Sequence, residues 1–386
     1  MLASLIAVFA LVQETQDAPE VSRAPQLPER MSREEIQPTL DRAVEYLLST
    51  QHADGQWGWG VQDTLADSGF SPEAYYDYNY AANALACMAM AEVGETPEVR
   101  AALERSIDWM CTTRNPKRPS DWDADNIWVA LYGSVCMVRL ADDSRFQEEP
   151  WAGKIRERGE IFVDLLERNQ IPEGGWAYYD DPPYTRRPKW ATSFCTALVL
   201  PSLRRAHELG WLEEAAVFER AARVVERCAL PNGAYSYNVT IVPSAGGESI
   251  NNIKGSLGRT QVCNWARFLG GDPRMTLERV REGVDAFFEH HRFLDVARMR
   301  PIPHEAYYAN AGYFYFFAHY YAALAIELLP EAEREDYHAR LRPHLAKVQY
   351  SDGSSTDFLG AGYQKVAGTA YTILSLTAGL KPEGEL

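Results

Sequence analysis

One short pattern recurs along this chain and limits its fold more than any other feature. In Arg42-Ala43-Val44-Glu45-Tyr46-Leu47, followed by Gln51 and then Asp54-Gly55-Gln56-Trp57, an amphipathic helix runs out into a glycine turn flanked by a Gln and a Trp. Asn169-Gln170 with Gly174-Gly175-Trp176 repeats it, and Gln349 with Asp352-Gly353-Ser354 repeats it without the Trp. Cys228 with Asn232-Gly233-Ala234-Tyr235 is a worn copy. A helix end followed by the same turn at recurrent spacing marks a repeat architecture, in which each unit buries its apolar face only against its neighbours.

Between the turns helical periodicity dominates and strand-like alternation is nearly absent. Two kinds of helix alternate. One is amphipathic and charged, at about 35–51, 97–112, 151–169, 212–228, 276–292 and 331–348; the other is apolar and rich in small residues, at about 78–93, 126–141, 191–209, 256–269, 309–328 and 364–380. A helix apolar around most of its circumference must be enclosed, and an amphipathic one covers it from outside. The chain is therefore expected to be all-α, an (α/α)6 toroid of six inner and six outer helices spanning residues 32–386. Start signals agree: Ser32 with Glu35 forms a capping box, Thr96 precedes Pro97, and Thr276 can cap the fifth outer helix.

Connection lengths orient this barrel. Inner-to-outer links are short, whereas outer-to-inner links are long, at about 52–77, 113–125, 170–190, 229–255, 293–308 and 349–363. Functional residues concentrate in long loops, so that end is the expected mouth. Every inner helix points its N-terminus there, which favours an anionic group on the ligand.

The 386 residues carry a formal net charge of −16, which repels phosphate backbones and disfavours a nucleic-acid partner. Leu2 to Val12 is an apolar run of the length of a secretory signal and shorter than the ~18 residues of a spanning helix, and the stretch to about Arg30 reads as a linker. Residues 1–31 are thus expected to be a signal segment and linker, the mature chain to be exported, and no integral span to remain in it. Six cysteines without a C-x-x-C imply neither a disulfide framework nor a zinc ribbon.

The segment Arg42 to Trp57 resembles the squalene-cyclase "QW" repeat: basic, Ala, two residues, aromatic, aliphatic, three residues, Gln, three residues, Gly, one residue, Trp. Together with its copies it is similar to the prenyltransferase and squalene-oxidase repeat family, whose members build α/α toroids in class II terpene cyclases and protein prenyltransferase β subunits. Gly258-Arg259-Thr260-Gln261-Val262-Cys263 and the run Tyr315 to Ala323 resemble repeats of exported bacterial members, which bring no activity with them. The resemblance implies an isoprenoid-like ligand and a D-x-D-D acid motif at an inner-helix start. Asp123-Ala124-Asp125-Asn126 matches it with Asn126 in place of the last Asp, making Asp125 the acid and Asp123 its neighbour; either Asp can equally be a helix cap. Zinc prenyltransferases need an Asp and a Cys close together, and no Asp-x-Cys occurs here, so no metal or other cofactor is expected.

His319 stands among Tyr313, Tyr315, Phe316, Phe317, Tyr320 and Tyr321, where it can be an acid, a base or a satisfied core histidine. Trp57, Trp59, Trp128, Trp176, Tyr178, Tyr315, Tyr320 and Arg259 are the expected ligand contacts, through π faces for an apolar ligand and through Arg259 for an anionic one. Arg186, Arg187 and Lys189 add a basic cluster, balanced by Asp180 and Asp181. Two rival readings remain. An exported polysaccharide lyase or glycosidase would use paired carboxylates from Asp77, Asp180, Asp181, Glu248 and Glu305 with the same tryptophans as sugar platforms, and a non-catalytic module would use the toroid as a binding surface.

Overall fold

The computed structural model describes residues 28–58, 71–117, 126–178, 190–239, 249–358 and 362–380. Among these the chain is helical throughout, with two isolated β-bridges, Thr192 with Asn238 and Ala229 with Tyr235, and no strand. In chain order the helices are α1 (Arg33–Thr50), α2 (Pro72–Glu92), α3 (Pro97–Thr112), α4 (Ile127–Asp142), α5 (Trp151–Asn169), α6 (Ser193–Glu208) and α7 (Ala216–Cys228). They continue as α8 (Leu257–Leu269), α9 (Leu277–His290), α10 (Arg292–Ala297), α11 (Phe314–Ile326), α12 (Glu331–Ala346) and α13 (Gly362–Ala378).

Helices α2, α4, α6, α8, α11 and α13 form the inner ring; each packs on the two beside it, and α13 returns onto α2 to close the circle. Outside them lie α1, α3, α5, α7, α9 and α12, which completes an (α/α)6 toroid. The short α10 is an addition to the expected plan. It begins what the sequence presents as a long loop, because Leu294 and Ala297 reach the core and wind the chain into a turn of helix.

Burial follows composition. Every residue of α11 except Leu324 is buried, whereas α12 buries one stripe running from Tyr337 to Leu345. Three of the outer helices start on side-chain caps: the Ser32 hydroxyl accepts from Glu35 N while Glu35 Oε2 accepts from Ser32 N, and Thr96 and Thr276 accept from Val99 N and Arg279 N. Each cap satisfies an otherwise orphaned amide.

The recurrent turn is a clasp between neighbouring repeats. Gln51 Nε2 donates to Gly55 O and to Ala102 O of α3, and Arg105 Nη2 donates back to Gln51 Oε1 at 2.6 Å. Gln170 holds Val217 O and receives Arg220 of α7 in the same way. Gln349 holds Thr39 O and receives Arg42 of α1. The Arg that opens one repeat thus locks the Gln that ends another, and the Gln349–Arg42 clasp joins the two ends of the described chain. The turn glycines sit at positive φ, 98° for Gly55, and a Cβ there would meet Arg105 O at 2.2 Å, so the close approach of turn to helix requires glycine.

Two residues beyond each turn glycine a second contact recurs. The backbone N–H of Trp57, Trp176, Tyr235 and Ser355 donates to Asn83 Oδ1, Thr196 Oγ1, Ser256 Oγ and Thr369 Oγ1 respectively. Every described copy of the turn is therefore pinned to an inner helix or to the residue that caps it.

Candidate active site

At the long-loop end a cavity of about 390 Å³ descends between the inner helices. Its walls come from five of these helices: Tyr78, Ala81, Ala82 and Leu85 of α2, Trp128 and Tyr132 of α4, Phe194 of α6, Phe314 and Phe317 of α11, and Tyr363, Gln364, Ala367, Gly368 and Tyr371 of α13. The loops add Tyr178, Tyr237, Pro303, His304, Tyr313, Asp357 and Phe358. The volume falls in the ~300–1,000 Å³ range of small-molecule sites, and the lining is aromatic as such sites usually are.

The rings hold one another in place. Phe194 packs edge-on to Tyr237, Phe314 and Phe317, and its face stacks with Trp128 at 6.2 Å. Trp128 also stacks with Tyr178, and Tyr178 is hydrogen-bonded to Tyr237 through their hydroxyls; Tyr132 and Tyr371 pair likewise. Burial pushes the hydroxyls of Tyr132, Tyr178 and Tyr371 up, so they remain neutral.

Asp357 is the one carboxyl among the described lining residues. Its side chain is enclosed, and Oδ2 accepts from Phe316 N at 3.1 Å in the first turn of α11. Burial pushes this acid up to about 7, opposed by the Phe316, Asp357 and Tyr315 amides and by the Arg298 charge. The two influences leave an acid that is substantially protonated at neutral pH yet has amides and a guanidinium ready to stabilise its anion. That is the tuning a general acid needs.

The segment that supports Asp357 is strained. Met299, His304, Tyr308 and Ala309 adopt φ of 65°, 64°, 59° and 53°. Such backbone costs about 1–3 kcal/mol per residue and collects at functional sites. Met299 N donates to Asp357 O and Arg298 Nη1 to Thr356 O, which fixes the acid's main chain. His304 faces the same cavity. Its Nδ1 lies 2.7 Å from Ala309 O and so carries the proton, which leaves Nε2 to accept from the Tyr313 hydroxyl at 2.9 Å.

Of the expected ligand contacts, Trp128 and Tyr178 line the cavity, stacked 6.2 Å apart. Trp57 and Trp176 do not: both are fully buried within the clasp, and their indole N–H groups donate to Leu47 O and Leu166 O, closing the helix that precedes each turn. They are structural, not sugar platforms. Tyr320 is held away by Arg139 Nη2 at 2.6 Å, and Tyr315 donates to His344 O. Arg259 is enclosed between Tyr235 O, Ile250 O and the Tyr237 ring, and burial lowers it to about 10. It supports the wall instead of meeting an anion. His319 points away from the ring axis to His291, and burial holds it well below its ordinary value. Of the proposed carboxylates, Asp77 is buried with Oδ2 on Asn126 Nδ2, and Glu305 is exposed. Trp59, Asp123, Asp125, Asp180, Asp181, Arg186, Arg187, Lys189 and Glu248 lie outside the described residues.

The sequence reading overlooked Asp357, Tyr237, Phe194 and His304. A signal for the first two was present. Four residues beyond the turn glycines Gly55, Gly174, Gly233 and Gly353 stand Trp59, Tyr178, Tyr237 and Asp357, and the three described members of this set all line the cavity.

No family model matches the chain, and no curated protein matches it. Among solved structures it is similar to the type II terpene cyclase MstE from Scytonema, here a variant in complex with geranylgeranyl dihydroxybenzoate, its substrate. The identity is 15% over 90% of this chain and 98% of that one, with a TM-score of 0.52. An inactive variant of the α-1,6-mannanase of Salegentibacter in complex with α-1,6-mannotetrose matches at 11% identity, 89% and 99% coverage and a TM-score of 0.56. A β-1,3-1,4-glucanase from Paenibacillus matches at 10% identity, 92% and 95% coverage and a TM-score of 0.52. At these identities the likeness is one of fold, and it places the chain among α/α toroids.

Proposed function

We propose that this protein is an exported, acid-initiated isoprenoid cyclase of the squalene-cyclase-repeat kind, with Asp357 as the acid in place of the expected Asp125. One observation carries the reading: a carboxyl tuned to about 7 lines, from an amide-lined corner, a cavity whose walls are mostly aromatic rings. An aromatic-rich chamber suits an apolar polyene, and its rings stabilise the positive charge that develops along it.

In this mechanism the Asp357 hydroxyl transfers its proton to a terminal alkene carbon. The π pair forms the new C–H bond and the adjacent carbon becomes cationic. The next double bond attacks it, closing a ring and passing the charge along the chain. The resulting carboxylate is held by Phe316 N–H and by the Arg298 charge, which offset part of the cost of the buried anion. A C–H proton is finally lost, with its bonding pair becoming the product alkene; the Tyr313 hydroxyl takes it while passing its own proton to His304 Nε2. No metal or cofactor is needed for this sequence. The substrate complex of the MstE variant supports a prenylated ligand in a toroid of this shape.

The test is to incubate the purified chain with geranylgeranyl dihydroxybenzoate and related prenylated acids and follow isomers of unchanged mass. Asp357→Asn is expected to lose at least ~100-fold in rate, the scale of removing a general acid. Release of reducing ends from a polysaccharide panel, with no turnover of prenyl substrates, would instead support the carbohydrate reading.

A further inference from the structure

Behind the wall of the cavity, between α9, α10, α11 and the end of α12, three histidines and an aspartate form a cluster that the proposed chemistry does not use. His319 Nδ1 lies 2.7 Å from the carbonyl oxygen of Tyr315 and must therefore carry a proton. Its Nε2 is then a bare acceptor, 2.9 Å from His291 Nε2, so the proton in that contact belongs to His291. In a neutral His291 ring the Nδ1 lone pair consequently faces Asp295 Oδ2 at 3.1 Å, acceptor against acceptor. A proton on Nδ1, which makes the contact an ion pair, or a cation seated between the two atoms removes the conflict.

A cation already stands close by. Lys347 Nζ bridges Asp295 Oδ1 at 2.6 Å and His344 Nδ1 at 3.2 Å, so the His344 Nδ1 lone pair also points into this space. One ligand atom from each of His291, Asp295 and His344 lies within 4.8 Å of the other two. In a tetrahedral zinc site with bonds of about 2.0–2.1 Å, neighbouring ligand atoms are about 3.3 Å apart, close to the His291–Asp295 separation.

We propose that His291, Asp295 and His344 form a binding site for a divalent transition metal of the zinc class, with Lys347 as a displaceable cation that occupies the position when metal is scarce. Two nitrogens and a carboxylate oxygen suit zinc in both softness and number. The outer support is in place as well: His291 Nε2–H donates to His319, His319 is fixed by Tyr315 O, and the Tyr315 hydroxyl holds the backbone of His344. Such partners orient ligating imidazoles and raise their basicity. Lys347 is 19% exposed, so its ammonium has a path to water when it leaves. The metal ties the α9–α10 junction to α12, directly before the strained segment that supports Asp357 and carries His304. The site is a clip for the cavity mouth and does not depend on the isoprenoid reading.

Equilibrium dialysis of the metal-stripped full chain against Zn²⁺, with bound metal measured by mass spectrometry, tests this. One zinc per chain is expected. Lys347→Met is expected to bind at least ten-fold more tightly, because the competing cation is gone, and His291→Ala and His344→Ala at least a hundred-fold more weakly. With Co²⁺ the expected spectrum has the d–d bands of a four-coordinate site and no thiolate charge-transfer band, which separates this cluster from the six cysteines. Failure of both the native chain and Lys347→Met to bind one equivalent would overturn the proposal. Binding that survives both histidine substitutions, or that shows thiolate ligation, would overturn it equally. Because Lys347→Met gains affinity, misfolding of a histidine variant cannot produce the expected result.

Discussion

The carboxylate oxygen Oδ2 of Asp357 lies 3.1 Å from the backbone nitrogen of Phe316, so the last repeat turn and the first turn of α11 meet at the acid itself. Burial raises this acid to about 7 while the amide and Arg298 pull against it, and both reactivity and stability then depend on pH in defined directions. The protonated form is the donor. Turnover limited by proton transfer is expected to be flat below about pH 7 and to fall tenfold per pH unit above it. A rate that rises through this range would remove Asp357 from the role of acid.

Stability runs the same way. The folded value lies above the ordinary carboxyl value of 3.8, so the folded chain holds the proton more tightly than the unfolded one. Its contribution is fully present below about pH 4 and is lost as the pH rises to about 7, on the order of 4 kcal/mol at most. Asp357→Asn carries no such penalty. At pH 8 this variant is expected to be more stable than the native chain by roughly 1–4 kcal/mol in urea unfolding, while being inactive. A purely structural Asp357 would show the opposite, a loss of stability on substitution.

Trp176 was expected to be a ligand platform and instead closes a helix, with its indole N–H on Leu166 O at 2.8 Å. Trp176→Phe should lower unfolding stability by about 1–2 kcal/mol through the lost hydrogen bond and packing, and leave ligand affinity unchanged. Trp128→Ala should do the reverse, weakening a prenyl ligand by about ten-fold through the lost ring contact. Isothermal titration of both variants separates the two roles.

The worn fourth copy leaves a mark on the fold. Ala229 stands where the other turns carry Gln, Glu282 stands where α1, α3 and α7 carry the locking Arg, and a Cβ on Gly233 would touch only Ile253 at 3.9 Å. With no clasp to draw turn and helix together, a polar groove of about 500 Å³ opens there, bordered by Ala229, Gly233, Arg279 and Glu282. The double variant Ala229→Gln/Glu282→Arg is expected to rebuild the clasp and stabilise the chain by about 1–2 kcal/mol, more than the two single variants together. Additive effects in the double-mutant cycle would mean that the clasp does not form.

Much of the architecture was legible because it rests on period and spacing. The alternation of enclosed and amphipathic helices gave the two rings, and the spacing from Arg42 to Trp57 gave the turn. Local patterns do not reveal which way a buried aromatic points. Trp57 and Trp128 look alike in sequence, yet one ends a helix and the other faces the cavity. Asp357 was hidden for a further reason: its altered acidity comes from burial inside the closed ring, which no local pattern shows, and its turn lacks the Trp that marks the stronger copies. His319 read as a cavity residue because α11 is aromatic on every face, and only the packing of α9 and α12 decides which face is which.

The proton that starts the reaction provides the most direct measurement. When the chain is incubated with geranylgeranyl dihydroxybenzoate in D₂O, the cyclised product should carry one deuterium, located by NMR at the carbon that was the terminal alkene, and Asp357→Asn should form none of it. A cyclised product without deuterium, or the same labelled product from Asp357→Asn, would contradict the assignment of Asp357 as the initiating acid.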